Sequence, residues 1–196
     1  MICAMHPDFD KALAGAQVVG TEPLKLPSGR LVAAEPPGLF GGGPVADWAF
    51  TETVAPGVYP VQVYLDGDLV IAAQVIVRAG AVAEWRPAKV ASHPEWERCY
   101  FPVDGGTGSF GSVEVFESLT DDEARADLIA DLSFGYHDPY TFYDDEEDNN
   151  LICFRLGGDG RFETWVGYTA AGELACFLTA YRSVADEDIR DHQDHP

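Results

Sequence analysis

Asp104-Gly105-Gly106-Thr107-Gly108-Ser109-Phe110-Gly111 is the stretch whose residue types and spacing come nearest to a chemical motif. An apolar run ends in a carboxylate, and four glycines follow within seven residues. Glycine permits positive φ and lets backbone N–H groups come close to a ligand. Successive N–H groups in such a loop can cradle an anion. Gly105, Gly106, Thr107, Gly108 and Ser109 are therefore the candidate ligand-binding residues. Asp159 stands in a second Asp–Gly turn, Gly157-Gly158-Asp159-Gly160. If the two turns met, Asp104 and Asp159 would share a proton or hold a hard cation. His137, in an aromatic-rich segment, adds a general base with a suitable pKa. Asp104, Asp159 and His137 are the candidate catalytic set.

Each pattern has a plainer reading beside it. Gly106-x-Gly108-x-x-Gly111 has the dinucleotide spacing, but that fingerprint needs a parallel βαβ unit, and no such unit follows. The loop also looks like the phosphate loop of sugar kinases, whose two large domains do not fit into 196 residues. Gly108-Ser109-Phe110-Gly111 lacks the glycine two positions before the serine that a hydrolase elbow requires. A tight turn needing positive φ, with each aspartate capping its own turn, accounts for the same residues.

The segment 135–150 suggests contact with another molecule. Tyr136, Tyr140, Phe142 and Tyr143 precede the run Asp144-Asp145-Glu146-Glu147-Asp148. Rigid aromatics anchor interfaces, and a negative rim speeds capture of a positive partner. Tyr136, Tyr140, Tyr143, Asp144, Asp145 and Glu146 are the candidate partner-binding residues. The alternatives are aromatics that tuck a long loop onto the sheet and a solvated acid run. Overall charge points the same way. The chain carries 33 acidic and 12 basic residues, a net −21, with a pI of 4.3. Such a surface repels phosphate backbones, which sets it against nucleic acid and favours a basic partner.

Cys3, Cys99, Cys153 and Cys176 form no C-x-x-C pair, and their flanks are apolar or aromatic, as expected of reduced, buried thiols in the cytosol. No metal-ligand set is assigned, and no cofactor is indicated. His192-x-x-His195 lies in an acidic tail. No basic-then-apolar leader opens the chain and no apolar run reaches about 18 residues, so a cytoplasmic protein without a membrane span is expected.

The elements that must position these residues are mostly strands. A short helix is expected near 8–16, capped by Asp8, and short strands at 17–21 and 30–34 with a turn at 27–29. Residues 35–44 read as a Pro/Gly loop, and 47–53 fit either strand or helix. Residues 58–65 alternate, Asp66-Gly67 makes a hairpin turn, and 68–78 returns. Pro60 puts an edge or a bulge there. With 81–86 these make a meander. A central strand at 99–103 leads into the glycine loop. Residues 112–119 are ambiguous. Thr120-Asp121-Asp122-Glu123 is a capping box opening a helix over 121–132, with Ala124, Leu128, Ile129 and Leu132 on one side. Residues 151–156 resume as strand, and 162–168 with 173–180 form a hairpin. The fold class is α+β, mostly antiparallel sheet built of hairpins and meanders with one or two helices packed on it. Residues 1–184 are expected as one domain and 185–196 as an acidic tail.

Several of these motifs together resemble the domain of unknown function 4241 family of bacteria. They are Gly29-Arg30-Leu31-Val32-Ala33, Ala55-Pro56-Gly57-Val58-Tyr59-Pro60-Val61, Ala72-Ala73 and Trp85-Arg86-Pro87-Ala88. Val103 to Phe110, Gly158-Asp159-Gly160 and Trp165-Val166-Gly167-Tyr168 complete the set. The resemblance spans roughly 26–179. It departs at Gly157-Gly158, where a serine-glycine step is expected, which weakens any serine-based role there. It implies a single domain and supplies no activity. The leading functional expectation is a non-enzymatic, acidic binding protein, immunity- or antitoxin-like, that holds a basic protein. The alternative is a small hydrolase or phosphate-handling enzyme using Asp104, the glycine loop and Asp159.

Overall fold

In the computed structural model, residues 8–36, 43–95, 100–133, 139–144, 148–156 and 158–180 are described. In chain order they form α1 (Phe9–Ala12), β1 (Gln17–Gly20), β2 (Leu24–Leu26) and β3 (Leu31–Ala34), then a 3-10 turn (Val45–Trp48). Next are β4 (Gly57–Tyr59), β5 (Val61–Asp66), β6 (Leu69–Ile76), β7 (Glu84–Pro87), β8 (Tyr100–Val103) and β9 (Thr107–Ser112). The helices α2 (Val113–Ser118) and α3 (Asp122–Ser133) precede β10 (Tyr140–Asp144), β11 (Asn149–Arg155), β12 (Gly160–Tyr168) and β13 (Leu174–Ala180). All strand pairs are antiparallel. The protein is α+β, with strand predominating.

Two sheets face each other. The larger runs β1-β5-β6-β13-β12-β7, with β8 also on β12; the smaller runs β10-β11-β9-β3. Val61, Val63, Val75, Val166 and Phe177 of the first meet Ala33, Phe110, Ile152 and Phe154 of the second in the main core. The outer face of the first sheet is covered at Ala72, Trp165 and Leu178 by Phe9 of α1. The outer face of the second lies under Val115, Phe116, Leu119 and Leu128 of the α2–α3 region. Strands covered on both faces have no side that favours polar residues. This is why β3, β11 and β13 read as continuous apolar runs rather than as alternation.

Local chemistry sets the joins. Gly67 has a φ of 61°, and Asp66 pairs with Leu69, so the β5–β6 turn is centred on Gly67-Asp68. Positive φ at the first central residue alone is the II′ arrangement. Pro60 divides the run 58–65 into β4, which pairs with β2, and β5, which pairs with β1 and β6. Lacking an N–H, it sits where the chain changes sheets rather than inside one. Gly29 has a φ of 73°, and a Cβ there would overlap the carbonyl oxygen of Val54.

Five expectations need correction. The meander over 58–86 does not form: β6 takes β13 as its second neighbour, and β7 crosses to β12. β13 is apolar on both faces and needs the interior position. The strand ending at Val103 is not central, because among the described residues β8 pairs with β12 alone. Residues 107–112 are not loop but strand β9, between β11 and β3. Residues 140–144 are likewise strand rather than loop. The cap of α3 is Asp121, whose Oδ1 accepts from Glu123 N at 2.9 Å. The Thr120 hydroxyl instead donates to Glu117 O at 2.7 Å.

Candidate functional site

β8 and β12 pair with Val103 opposite Gly160. Asp104 and Asp159 each adjoin that last pair, at the same end of the larger sheet. Both aspartates are exposed. The β8–β12 pairing thus brings the two Asp–Gly turns to the same end of that sheet, from segments about fifty residues apart. His137 lies outside the described residues, as do Tyr136, Asp145 and Glu146. Among the described residues no three His, Cys, Asp or Glu side chains are gathered as a metal set.

The glycine turn already holds an anion from its own chain. Glu35, only 7% exposed, accepts the Asp104 N–H at 3.0 Å and also the Gly105 N–H. This is the arrangement in which a phosphate would be cradled, with the protein's own carboxylate in the cradle. A Cβ on Gly105 would come within 2.8 Å of Glu35 Oε1. Gly106, with a φ of 68°, reverses the chain into β9, and its carbonyl accepts Leu156 N at 2.6 Å.

The remaining candidates of this loop are strand residues. Thr107 is half-buried, and Gly108 and Ser109 are buried. The Ser109 hydroxyl donates to Ala34 O at 2.7 Å, tying β9 to β3. Gly111 is needed for packing, since a Cβ there would meet Leu151, Phe116 and Val115 at 2.7–2.8 Å. Among these residues, the N–H groups of Asp104 and Gly105 face a carboxylate, while Thr107, Gly108 and Ser109 serve the sheet.

The described partner-binding candidates, Tyr140, Tyr143 and Asp144, fall on β10, the outermost strand of the smaller sheet. Tyr140 and Phe142 pack inward against the cluster under α2 and α3. Tyr143 points the other way and is 48% exposed. Asp144 ends the strand, opposite Asn149. Asp148, with a φ of 53°, directly precedes β11 and pairs with the Lys25 ammonium.

Sequence reasoning missed three features. Glu35 was hidden in a Pro/Gly loop, although an acid directly after Leu31-Val32-Ala33-Ala34 was the available signal. Asn150 clamps β2 to β11, accepting Lys25 N and donating to Pro23 O, both at 2.8 Å. The third is a polar group at the end of β12. Tyr168 donates to Glu52 Oε1 at 3.0 Å, and the Arg86 guanidinium lies 4.6 Å from its ring centre. Glu84 holds Arg86 through two bonds of 2.8 and 2.9 Å. Burial, then the Glu52 carboxylate, push the Tyr168 hydroxyl up to about 12. No sequence signal links these residues, because they come from three separated segments.

The sequence profile that matches the chain is described as a protein of unknown function, DUF4241, and covers residues 24–179. No curated protein and no solved structure matches.

Proposed function

The chain belongs to the DUF4241 family of proteins of unknown function, and from its own surface we propose that it is a non-enzymatic binding protein of the bacterial cytosol. It holds a basic protein partner at the β10–β11 hairpin. The observation that carries this reading is Tyr143: an aromatic 48% exposed on the outermost strand, next to the acid run 144–148. An exposed aromatic ring supplies contact area at little entropic cost, and the acids beside it steer a cation-rich surface. A net charge of −21 adds long-range attraction for such a partner and repulsion for nucleic acid. Neutralising a basic toxin, as an immunity protein or antitoxin does, is a concrete form of this role. Cys153 and Cys176 are buried and in no disulfide, which suits a reducing compartment.

The test is a charge reversal that leaves Asp144 and Asn149 in place. Replacing Asp145, Glu146 and Glu147 by lysine lowers the association rate with a basic partner and flattens its salt dependence. An unchanged rate rejects the run as the steering element.

A second reading has one observation in its favour, the β8–β12 pairing that brings Asp104 and Asp159 to the same end of the larger sheet. A paired-carboxylate hydrolase or phosphate-handling site would use them as acid and base. Turnover of simple phosphate or carboxylate esters, lost in Asp104→Asn and Asp159→Asn, supports it. No turnover, or equal turnover by the variants, removes it.

A further inference from the structure

The free edges of the two sheets are not alike. In the larger sheet β1 is four residues long and ends in Gly20, and the other side carries Pro87 in β7 and Pro102 in β8. Shortness and proline blunt an edge against further pairing. In the smaller sheet β3 gives its Leu31 carbonyl to Phe50 N at 3.0 Å. β10 has none of these devices. Tyr140-Thr141-Phe142-Tyr143-Asp144 holds five residues, four of them aromatic or β-branched, the types that favour a strand. It pairs with β11 over all five without a register shift, and no described strand lies on its other side.

The ladder shows which backbone groups face outward. Leu156 N donates to Gly106 O at 2.6 Å, continuing the β9–β11 register from Arg155 opposite Thr107. Hydrogen-bonded pairs alternate along an antiparallel ladder. Phe154 and Ile152 therefore bond to β9, while Cys153 and Leu151 turn their N–H and C=O groups to Tyr140 and Phe142. Thr141 and Tyr143 are left with theirs directed away from β11. No described residue bonds them. The Tyr143 ring stands on the same strand, 48% exposed, and Asp144 closes it.

We propose that the basic partner docks by strand addition: an extended, lysine- or arginine-bearing segment of it pairs antiparallel with the outer edge of β10. This rests on the partner-binding reading and gives that reading its geometry. Main-chain bonds to Thr141 and Tyr143 supply affinity, and alternate side chains supply selectivity. The partner residue opposite Tyr143 shares its face, with Cβ atoms about 5 Å apart, so a cation there lies against the ring. The net charge of −21 attracts a basic strand and repels a second copy of this chain, the other candidate for an open edge.

The probe is a capped peptide of four Lys-Val repeats, titrated into the whole chain at low salt with amide hydrogen exchange read by NMR. Spermine, with the same four positive charges and no peptide group, is the control. The peptide binds and slows exchange of the Thr141 and Tyr143 amides about tenfold or more; spermine leaves both unchanged. Thr141→Pro deletes one outward N–H while keeping Tyr143 and every charge, and weakens the peptide about fivefold or more. Circular dichroism checks its fold; should it not fold, protection in the wild-type chain decides. Peptide bound without protection of these two amides, or bound equally by a folded Thr141→Pro chain, overturns strand addition and leaves the acidic surface as the binding element. No binding of the peptide also overturns strand addition; if spermine fails to bind as well, the acidic-surface reading falls with it. Protection already present without peptide shows the edge to be occupied, by a second copy if it rises with protein concentration, and overturns the proposal.

Discussion

Glu35 does at the glycine turn what a bound anion would do, and this shows why the turn was hard to interpret. A glycine-rich stretch after a strand announces exposed N–H groups, but not which acceptor they meet. The acceptor comes from about seventy residues earlier, and only the β3–β9 pairing brings it there. Removing it leaves two N–H groups short of a partner. Glu35→Ala is therefore expected to cost about 1–3 kcal/mol, measured by urea unfolding. A cost near zero would mean that water replaces the carboxylate without loss. Two other residues make the fold sensitive to alkali. Burial pushes the Cys176 thiol from 9.0 to about 11 and, with Glu52, the Tyr168 hydroxyl from 10.0 to about 12. Both groups hold their protons more tightly when folded, so their contribution is complete below the unfolded values and is lost as pH rises through the folded ones. Stability should decline from pH 9 to 11 through Cys176 and from pH 10 to 12 through Tyr168. Melting curves of Tyr168→Phe should lose the upper part of that decline; an identical profile would contradict the assignment.

At the scale of elements, what could be read from the sequence was whatever is local. The β5–β6 turn, the β12–β13 hairpin and α3 each carry their own signal: a glycine at positive φ, an alternation, a cap. What could not be read depends on partners distant in sequence. Gly108 and Gly111 lower the strand propensity of β9, yet β9 is central in its sheet, because Val115, Phe116 and Leu151 leave no room for a side chain at Gly111. β10 was masked by the acids that follow it. That Asp104 and Asp159 lie at the same end of the larger sheet rests on a register that neither turn specifies alone. The helical face of α3 was legible only in part. Leu128 is fully buried, whereas Ile129 is 43% exposed. Leu128→Ala should cost about 2–5 kcal/mol, while Ile129→Ala should stay within about 0.5 kcal/mol. Denaturant midpoints of the two variants check this, and equal losses would mean that α3 packs through a different face. Ser112, whose hydroxyl accepts Val115 N at 3.1 Å at the start of α2, should cost about 1 kcal/mol on replacement by alanine. The same titration measures it, and an unchanged midpoint would show that the cap is dispensable.

At the scale of the whole molecule, the governing quantity is the net charge of −21. Self-repulsion of that size opposes compaction, and two covered sheets with a shared core offset it. The same charge gives the surface long reach, about a Debye length of 8 Å at physiological salt. A partner steered by it must be basic, and its capture must weaken as salt rises. The most direct measurement is a pull-down from lysate of the source cell at low and high salt, with mass spectrometry of what is held. It is run in parallel with a chain carrying Tyr143→Ser and lysines at 145, 146 and 147. The account predicts a basic protein retained by the native chain at low salt, released at high salt, and not retained by the altered chain. Retention of nothing, or equal retention by both chains, would contradict it and turn attention to the Asp104–Asp159 pair.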